Sequence, residues 1–207
     1  MSDDYCYSRT SRIVRGRLIS IVRRPTSEEA EMVCEKLLDQ GLDVLEIALT
    51  TPGALRAVEH LAARHPDALI GAGTVLDAPS ARAAILVGAR FLVSPSLSHE
   101  VLAMGHRYGA PTICGALTAT EIESALSAGA DLIKLFPAAQ VGAEYLKAVR
   151  AALPQVPIVP TGGVNAENAR SWLDAGAVAL GVGHALTSDP EQLARLCVTL
   201  SETSAPE

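Results

Sequence analysis

Aromatic side chains make up only 3% of this 207-residue chain. A core cannot be built around large rings here and has to come from Ala, Val, Leu and Ile packed between many short elements, which suits helices laid on a parallel sheet. Cysteine is also scarce. Cys6, Cys34, Cys114 and Cys197 stand far apart, with no CxxC spacing and no interleaved histidines. That pattern argues against a disulfide framework and a zinc site, and it fits a reducing cytoplasm. There is no basic excess: 17 Lys and Arg against 23 Asp and Glu give a net charge of -6, so no basic stripe is available to neutralise a nucleic-acid backbone. No apolar run approaches the length of a membrane span, and the polar lead over 1–17 lacks the apolar centre of a signal peptide. The expectation is a soluble cytoplasmic protein whose partner is a small molecule. An anionic ligand would have to be held by local N–H groups and a few arginines, because the overall field of the chain repels it.

What the chain does have is alternation. Short apolar runs at 18–23, 44–49, 68–71, 91–93, 111–114, 132–135, 157–160 and 178–182 are separated by amphipathic stretches. Those stretches carry helix start and stop signals, such as Ser27 opening a segment that closes at Gly41. Gly88, Gly109, Gly129 and Gly176 each follow an Ala/Leu-rich stretch and precede the next apolar run, as a helix end leading into a strand requires. Strands alternating with helices imply parallel pairing with right-handed crossovers. Eight such units predict an α/β fold, a single-domain (β/α)8 barrel over 18–200, with an open doubly wound sheet as the alternative. The tail 201–207 is polar and is expected to fray.

In a barrel of this kind, chemistry belongs at the C-terminal ends of the strands. Lys134 falls there, inside the apolar run Asp131-Leu-Ile-Lys-Leu-Phe-Pro137. A buried ammonium finds a partner or loses its proton, and a neutral amine attacks carbonyls to form a Schiff base; the plainer reading is a lysine whose stem packs while its head reaches water. Alternation in Leu42-Asp-Val-Leu-Glu-Ile-Ala-Leu49 puts Leu45, Ile47 and Leu49 towards the helices and Glu46 into the barrel. The same parity sends Lys134 inward. The two form either a buried ion pair or an imine-forming amine with a carboxyl that shuttles its protons.

Two glycine-rich turns complete the pattern. Gly71-Ala-Gly-Thr-Val75 follows a strand and offers the Thr74 hydroxyl, although a tight structural turn explains it equally well. Pro160-Thr-Gly-Gly-Val164 and Gly181-Val-Gly-His184 follow the seventh and eighth runs, where barrel enzymes bind phosphate through glycine N–H groups. Asn165 and Glu167 supply helix-start chemistry and account for part of the first turn. His184 reads as a ligand contact.

Leu45-Glu-Ile, Gly71-Ala-Gly-Thr-Val75, Ser94-Pro-Ser96, Lys134-Leu-Phe-Pro137 and Pro160-Thr-Gly-Gly-Val164, in this order, resemble the KDPG/KHG aldolase family over about residues 18–187. The resemblance implies a metal-free and cofactor-free class I aldolase, usually a homotrimer, that splits 2-dehydro-3-deoxy-6-phosphogluconate into pyruvate and D-glyceraldehyde 3-phosphate. By position it makes Lys134 the imine-forming lysine and Glu46 the general acid/base. It places Arg23, Thr50, Thr74, Ser94, Pro95, Phe136 and Thr161 around the substrate, and Gly162, Gly163, Gly183 and His184 at its phosphate. Thr50 stands where some members carry a carboxylate-clamping arginine, and Arg23 matches an arginine of other members that supplies this charge. The galactonate isomer and 4-hydroxy-2-oxoglutarate remain alternative substrates. The phosphate loops would serve an isomerase or a non-catalytic phosphosugar-binding barrel equally well.

Overall fold

The computed structural model describes residues 6–183, 186 and 190–202. Eight parallel strands alternate with helices: β1 Leu18–Val22, β2 Val44–Ala48, β3 Leu69–Gly73, β4 Leu92–Ser94, β5 Thr112–Ala116, β6 Leu132–Leu135, β7 Ile158–Pro160 and β8 Leu180–Val182. Each pairs with the next in sequence up to β7, and β8 pairs with β1. The last seam, between β7 and β8, holds by one parallel bridge, Thr161 to Gly181, and by the Val178 N–H donated to the Ile158 carbonyl at 3.0 Å. This is a nearly closed (β/α)8 barrel: the contact between the two edge strands β7 and β8 excludes the open sheet.

The helices are α1 Cys6–Gly16, α2 Ser27–Asp39, α3 Ala54–Arg64, α4 Ala78–Leu86, α5 His99–Tyr108, α6 Ala119–Ser127, α7 Gly142–Ala152, α8 Ala169–Asp174 and α9 Pro190–Glu202, with a 3₁₀ turn at Ala138–Gln140 before α7. Their starts follow local chemistry. Thr26, Asp77 and Ser98 each accept a backbone N–H three residues on, and Thr118 with Glu121 forms a reciprocal capping box. At the other ends Gly88, Gly109, Gly129 and Gly176 all carry positive φ, the conformation that turns each helix into its strand. No helix among the described residues is long and apolar enough to cross a membrane.

Strand parity divides the core in two. Leu18, Val22, Leu45, Ile47, Ile70, Leu92, Ile133, Leu135, Ile158 and Leu180 face the helices, while Ile19, Val44, Leu69, Phe91, Val93, Ile113, Leu132 and Val159 fill the barrel. Phe91, one of only two phenylalanines, fits because the facing position is Gly71, where a Cβ would overlap its ring. Glycines also lengthen the strands beyond the apolar runs: β3 continues to Gly73 and β5 to Ala116.

Two ends differ from the sequence expectation. The polar lead contains a helix, α1, which buries Ile13 completely against the barrel interior. Its arginines hold it in place from outside: Arg12 donates to Asp43 and to the Asp67 carbonyl, and Arg9 to the Gly109 carbonyl at 3.0 Å. Ile13 and Val14 among polar residues and arginines leave little periodicity to read, yet they are enough to close the barrel floor. The last helix runs to Glu202, through the first two residues of the expected frayed tail.

Replacing Ile13 by Ala removes buried methyl groups at a site the backbone cannot refill. We expect a loss of about 2–5 kcal/mol in urea unfolding, against about 0.5–1.5 kcal/mol for Ile13→Val.

Candidate active site

At the C-terminal ends of the strands lies a cavity of about 800 Å³. Its floor is made by two ionisable side chains from opposite parts of the barrel. β2 directs Glu46 inward and β6 directs Lys134 inward, both nearly buried, with Lys134 Nζ 3.8 Å from Glu46 Oε1. The Lys134 ammonium also sits 5.3 Å from the centre of the Phe136 ring, within cation–π range. Space for the carboxyl comes from Gly73 on β3, where a Cβ would overlap it. Gly115 on β5 likewise admits the Pro95 carbonyl.

Burial in this apolar barrel pushes the Glu46 carboxyl up from the ordinary carboxylate range, because the charged form loses its water; Lys134 and Arg23 pull it partly back. A carboxyl so placed carries its proton to higher pH than a surface glutamate, which suits a group that must both give and take protons.

One rim of the cavity carries Arg23 and Thr74. Arg23 Nη2 donates to Thr74 Oγ1 at 3.4 Å. Thr74 has φ 57, a left-handed conformation that is costly for a β-branched residue, by about 1–3 kcal/mol. Thr50 is exposed beside them, and Pro95 and Phe136 line the wall. The other rim is glycine. Gly162 and Gly163 have φ 91 and φ 80, and Gly183 follows β8. Thr161 lies buried between rim and floor, its hydroxyl 3.4 Å from the Val159 carbonyl.

The cavity thus gathers Lys134, Glu46, Arg23, Thr50, Thr74, Pro95, Phe136, Thr161, Gly162, Gly163 and Gly183. Ser94 is not among its lining residues. It falls at the helix-facing parity of β4, where its hydroxyl donates to the Ser96 carbonyl at 2.7 Å and approaches Cys114. His184 lies outside the described residues. The sequence reading passed over Ile21, Arg24, Val164 and Asn165, which also line the cavity. Parity on β1 signals Ile21, and Val164 and Asn165 continue the glycine turn. Arg24 carried no signal beyond its charge. A second groove of about 560 Å³, between the starts of α3 and α4, has no ionisable lining residue. Among the described residues no three His, Cys, Asp or Glu side chains gather as a metal site.

The model of the KDPG and KHG aldolases matches residues 10–195. The chain belongs to this family. It is 38% identical over 168 residues to the 2-dehydro-3-deoxy-6-phosphogalactonate aldolase of Escherichia coli K12, covering 80% of this chain and 82% of that protein. A solved native KDPGal structure superposes with TM-score 0.84 at 34% identity, over 89% of this chain and 94% of that one. The Legionella pneumophila KDPG aldolase, solved with pyruvate captured as a covalent carbinolamine, superposes with TM-score 0.80 at 32% identity, over 94% and 95% of the two chains. The protein is therefore a class I aldolase, a carbon–carbon lyase.

Two consequences can be measured on this aldolase. Because Glu46 has a higher pKa folded than unfolded, the folded state holds the extra proton between the two values. Its contribution to stability is full below the unfolded value and is lost as pH rises through the folded one. The stability of the wild type relative to Glu46→Gln should therefore fall on raising the pH from about 4 to about 8 in parallel urea titrations; a flat difference would refute the raised carboxyl. Gly73→Ala forces the Glu46 carboxyl aside, and its kcat should drop by about 10²-fold or more, with the far-UV spectrum unchanged.

Proposed function

We propose that this aldolase cleaves 2-dehydro-3-deoxy-6-phosphogluconate to pyruvate and D-glyceraldehyde 3-phosphate through an imine on Lys134. The observation that carries the reading is an amine and a carboxyl 3.8 Å apart on the floor of one cavity, with a cationic rim on one side and a glycine rim on the other. A six-carbon keto acid phosphate has matching parts: a carbonyl for the amine, a carboxylate for the Arg23 and Thr74 side, and a phosphate for the N–H groups of Gly162, Gly163 and Gly183.

In this mechanism the neutral Lys134 amine attacks C2 of the substrate. Glu46 gives a proton to the C2 hydroxyl, which leaves as water, and an iminium remains. The Glu46 carboxylate then takes the proton from the C4 hydroxyl. The C3–C4 bond breaks, its electron pair passes into the iminium to give an enamine, and the aldehyde phosphate departs. Protonation of the enamine at C3 gives the pyruvate imine, which water hydrolyses to release pyruvate and the free amine. Arg23 and Thr74 hold the C1 carboxylate, Thr50 and Thr161 offer hydroxyls, and Phe136 and Pro95 flank the chain.

The gluco configuration rests on Thr161, which resembles the residue of the gluconate-acting members. The 38% identity to a galactonate-type relative favours the other epimer at C4 as a second reading. We further propose that the active form is a cytoplasmic homotrimer, as the family resemblance implies.

Pyruvate with borohydride should fix a three-carbon adduct on the peptide containing Lys134, and Lys134→Ala should abolish both adduct and turnover. Absence of the adduct from the wild type would sink the imine. Measured on both epimers, kcat/KM should be higher for the gluco substrate by about tenfold or more; a galacto preference overturns the substrate assignment alone.

A further inference from the structure

The glycine rim owes its shape to a side chain outside the cavity wall. Three successive carbonyls after β7 are held from behind. The Thr161 carbonyl accepts the Ala138 N–H at 2.9 Å, and the Gly162 carbonyl accepts the Ala139 N–H at 3.0 Å. The Gly163 carbonyl accepts from Asn168 Nδ2 at 2.9 Å. In a trans peptide the carbonyl and the following N–H point to opposite sides of the chain, and the single cis bond among the described residues is Phe136–Pro137. Fixing these carbonyls therefore turns the N–H groups of Gly162, Gly163 and Val164 the other way. All three residues line the cavity; the Gly162 N–H is turned towards the Gly181 carbonyl across the bridge to β8, and among the described residues the N–H groups of Gly163 and Val164 have no acceptor.

The first two peptides are held by the backbone of the 3₁₀ turn, whereas the third depends on one side-chain amide. Asn168 is itself fixed. Its Oδ1 accepts the Asn165 N–H at 3.0 Å, while Asn165 Oδ1 accepts the Asn168 N–H at 3.1 Å. The next residue is tied to α9, with the Ala166 N–H donated to Gln192 Oε1 at 3.1 Å. The Asn165 N–H is thereby consumed, and the run of open donors ends at Val164.

We propose that Asn168 is a positioning residue: by holding the Gly163 carbonyl it aims the Val164 N–H into the cavity, beside the Gly163 N–H, as a donor of a nest for the substrate's phosphate. The inference rests on the aldolase reading for the identity of that anion. Adjacent N–H groups held in this way match the terminal oxygens of a phosphate monoester, and each is a charge-assisted bond when the anion is bound.

The test is isothermal titration of the full chain with inorganic phosphate, for the wild type, Asn168→Ala and Asn168→Asp. The Asp variant keeps the acceptor for Asn165 and removes the donor to Gly163. The expected result is a Kd raised about tenfold in both variants, with KM for the phosphorylated substrate rising in step and kcat changed by less than about twofold. Borohydride trapping of pyruvate on Lys134 needs no phosphate, and its wild-type yield in the variants would show that the barrel is intact. Equal affinities across the three proteins overturn the proposal, as does a wild type that binds no phosphate. A wild type that binds phosphate but traps no pyruvate leaves the nest standing and removes the imine reading.

Discussion

Everything at the working end of this barrel depends on one constraint: a carboxyl and an amine must share an apolar interior without either being lost to water. Removing both groups from solvent carries a penalty that their mutual attraction at 3.8 Å does not fully offset. The raised Glu46 carboxyl is the sign of that imbalance. A purely structural ion pair would gain by moving closer and acquiring further hydrogen bonds. Here the pair stays at the edge of ion-pair distance on a cavity floor, and an aromatic ring shares the ammonium. The arrangement is a poor stabiliser and a good proton-transfer site.

The rest of the barrel pays for this in packing. Below the pair the interior is filled to the floor by Ile13, Val44, Leu69, Phe91, Ile113 and Leu132. Above it the inward positions become glycine: Gly73 against the Glu46 carboxyl, Gly115 beside the Pro95 carbonyl and Gly181 against Thr161. Stability and chemistry are thus separated along the strand direction within the same strands, as barrel enzymes require. The weakest seam, between β7 and β8, opens on the glycine rim, where a fully paired ladder would have consumed N–H groups that a ligand can use.

Most of this could be read from the residues. Alternation along β2 and β6 gave the inward direction of Glu46 and Lys134, because a strand has a period of two whatever surrounds it. Glycine spacing gave the helix ends for the same reason, since positive φ is a local demand. What escaped was non-local. The helical lead, read from the sequence only as polar, is anchored by Ile13 reaching a floor assembled from distant strands, and its arginines find their partners only once Asp43 and the Gly109 carbonyl are in place. Ser94 shares a motif with Pro95, yet strand parity turns one away from the cavity while the other lines it. Asn168 drew no reading from the sequence, where Asn165 and Glu167 stood for the helix start; only the fold reveals which carbonyl its amide holds.

The charges of the cavity also explain how a chain of net charge -6 receives an anion. The ionisable residues of the lining are Arg23, Arg24, Lys134 and Glu46, so with Glu46 protonated the local field is wholly positive. A substrate carboxylate and phosphate entering that field add negative charge near Glu46 and favour its protonated form further. In the mechanism proposed above, the acid that expels water from the carbinolamine is thereby supplied by substrate binding itself. The iminium proposed on Lys134 would then place a fixed positive charge where the amine had been, drawing the same carboxyl towards the ionised form that accepts the C4 hydroxyl proton. One carboxyl can serve both steps because the charge beside it changes between them.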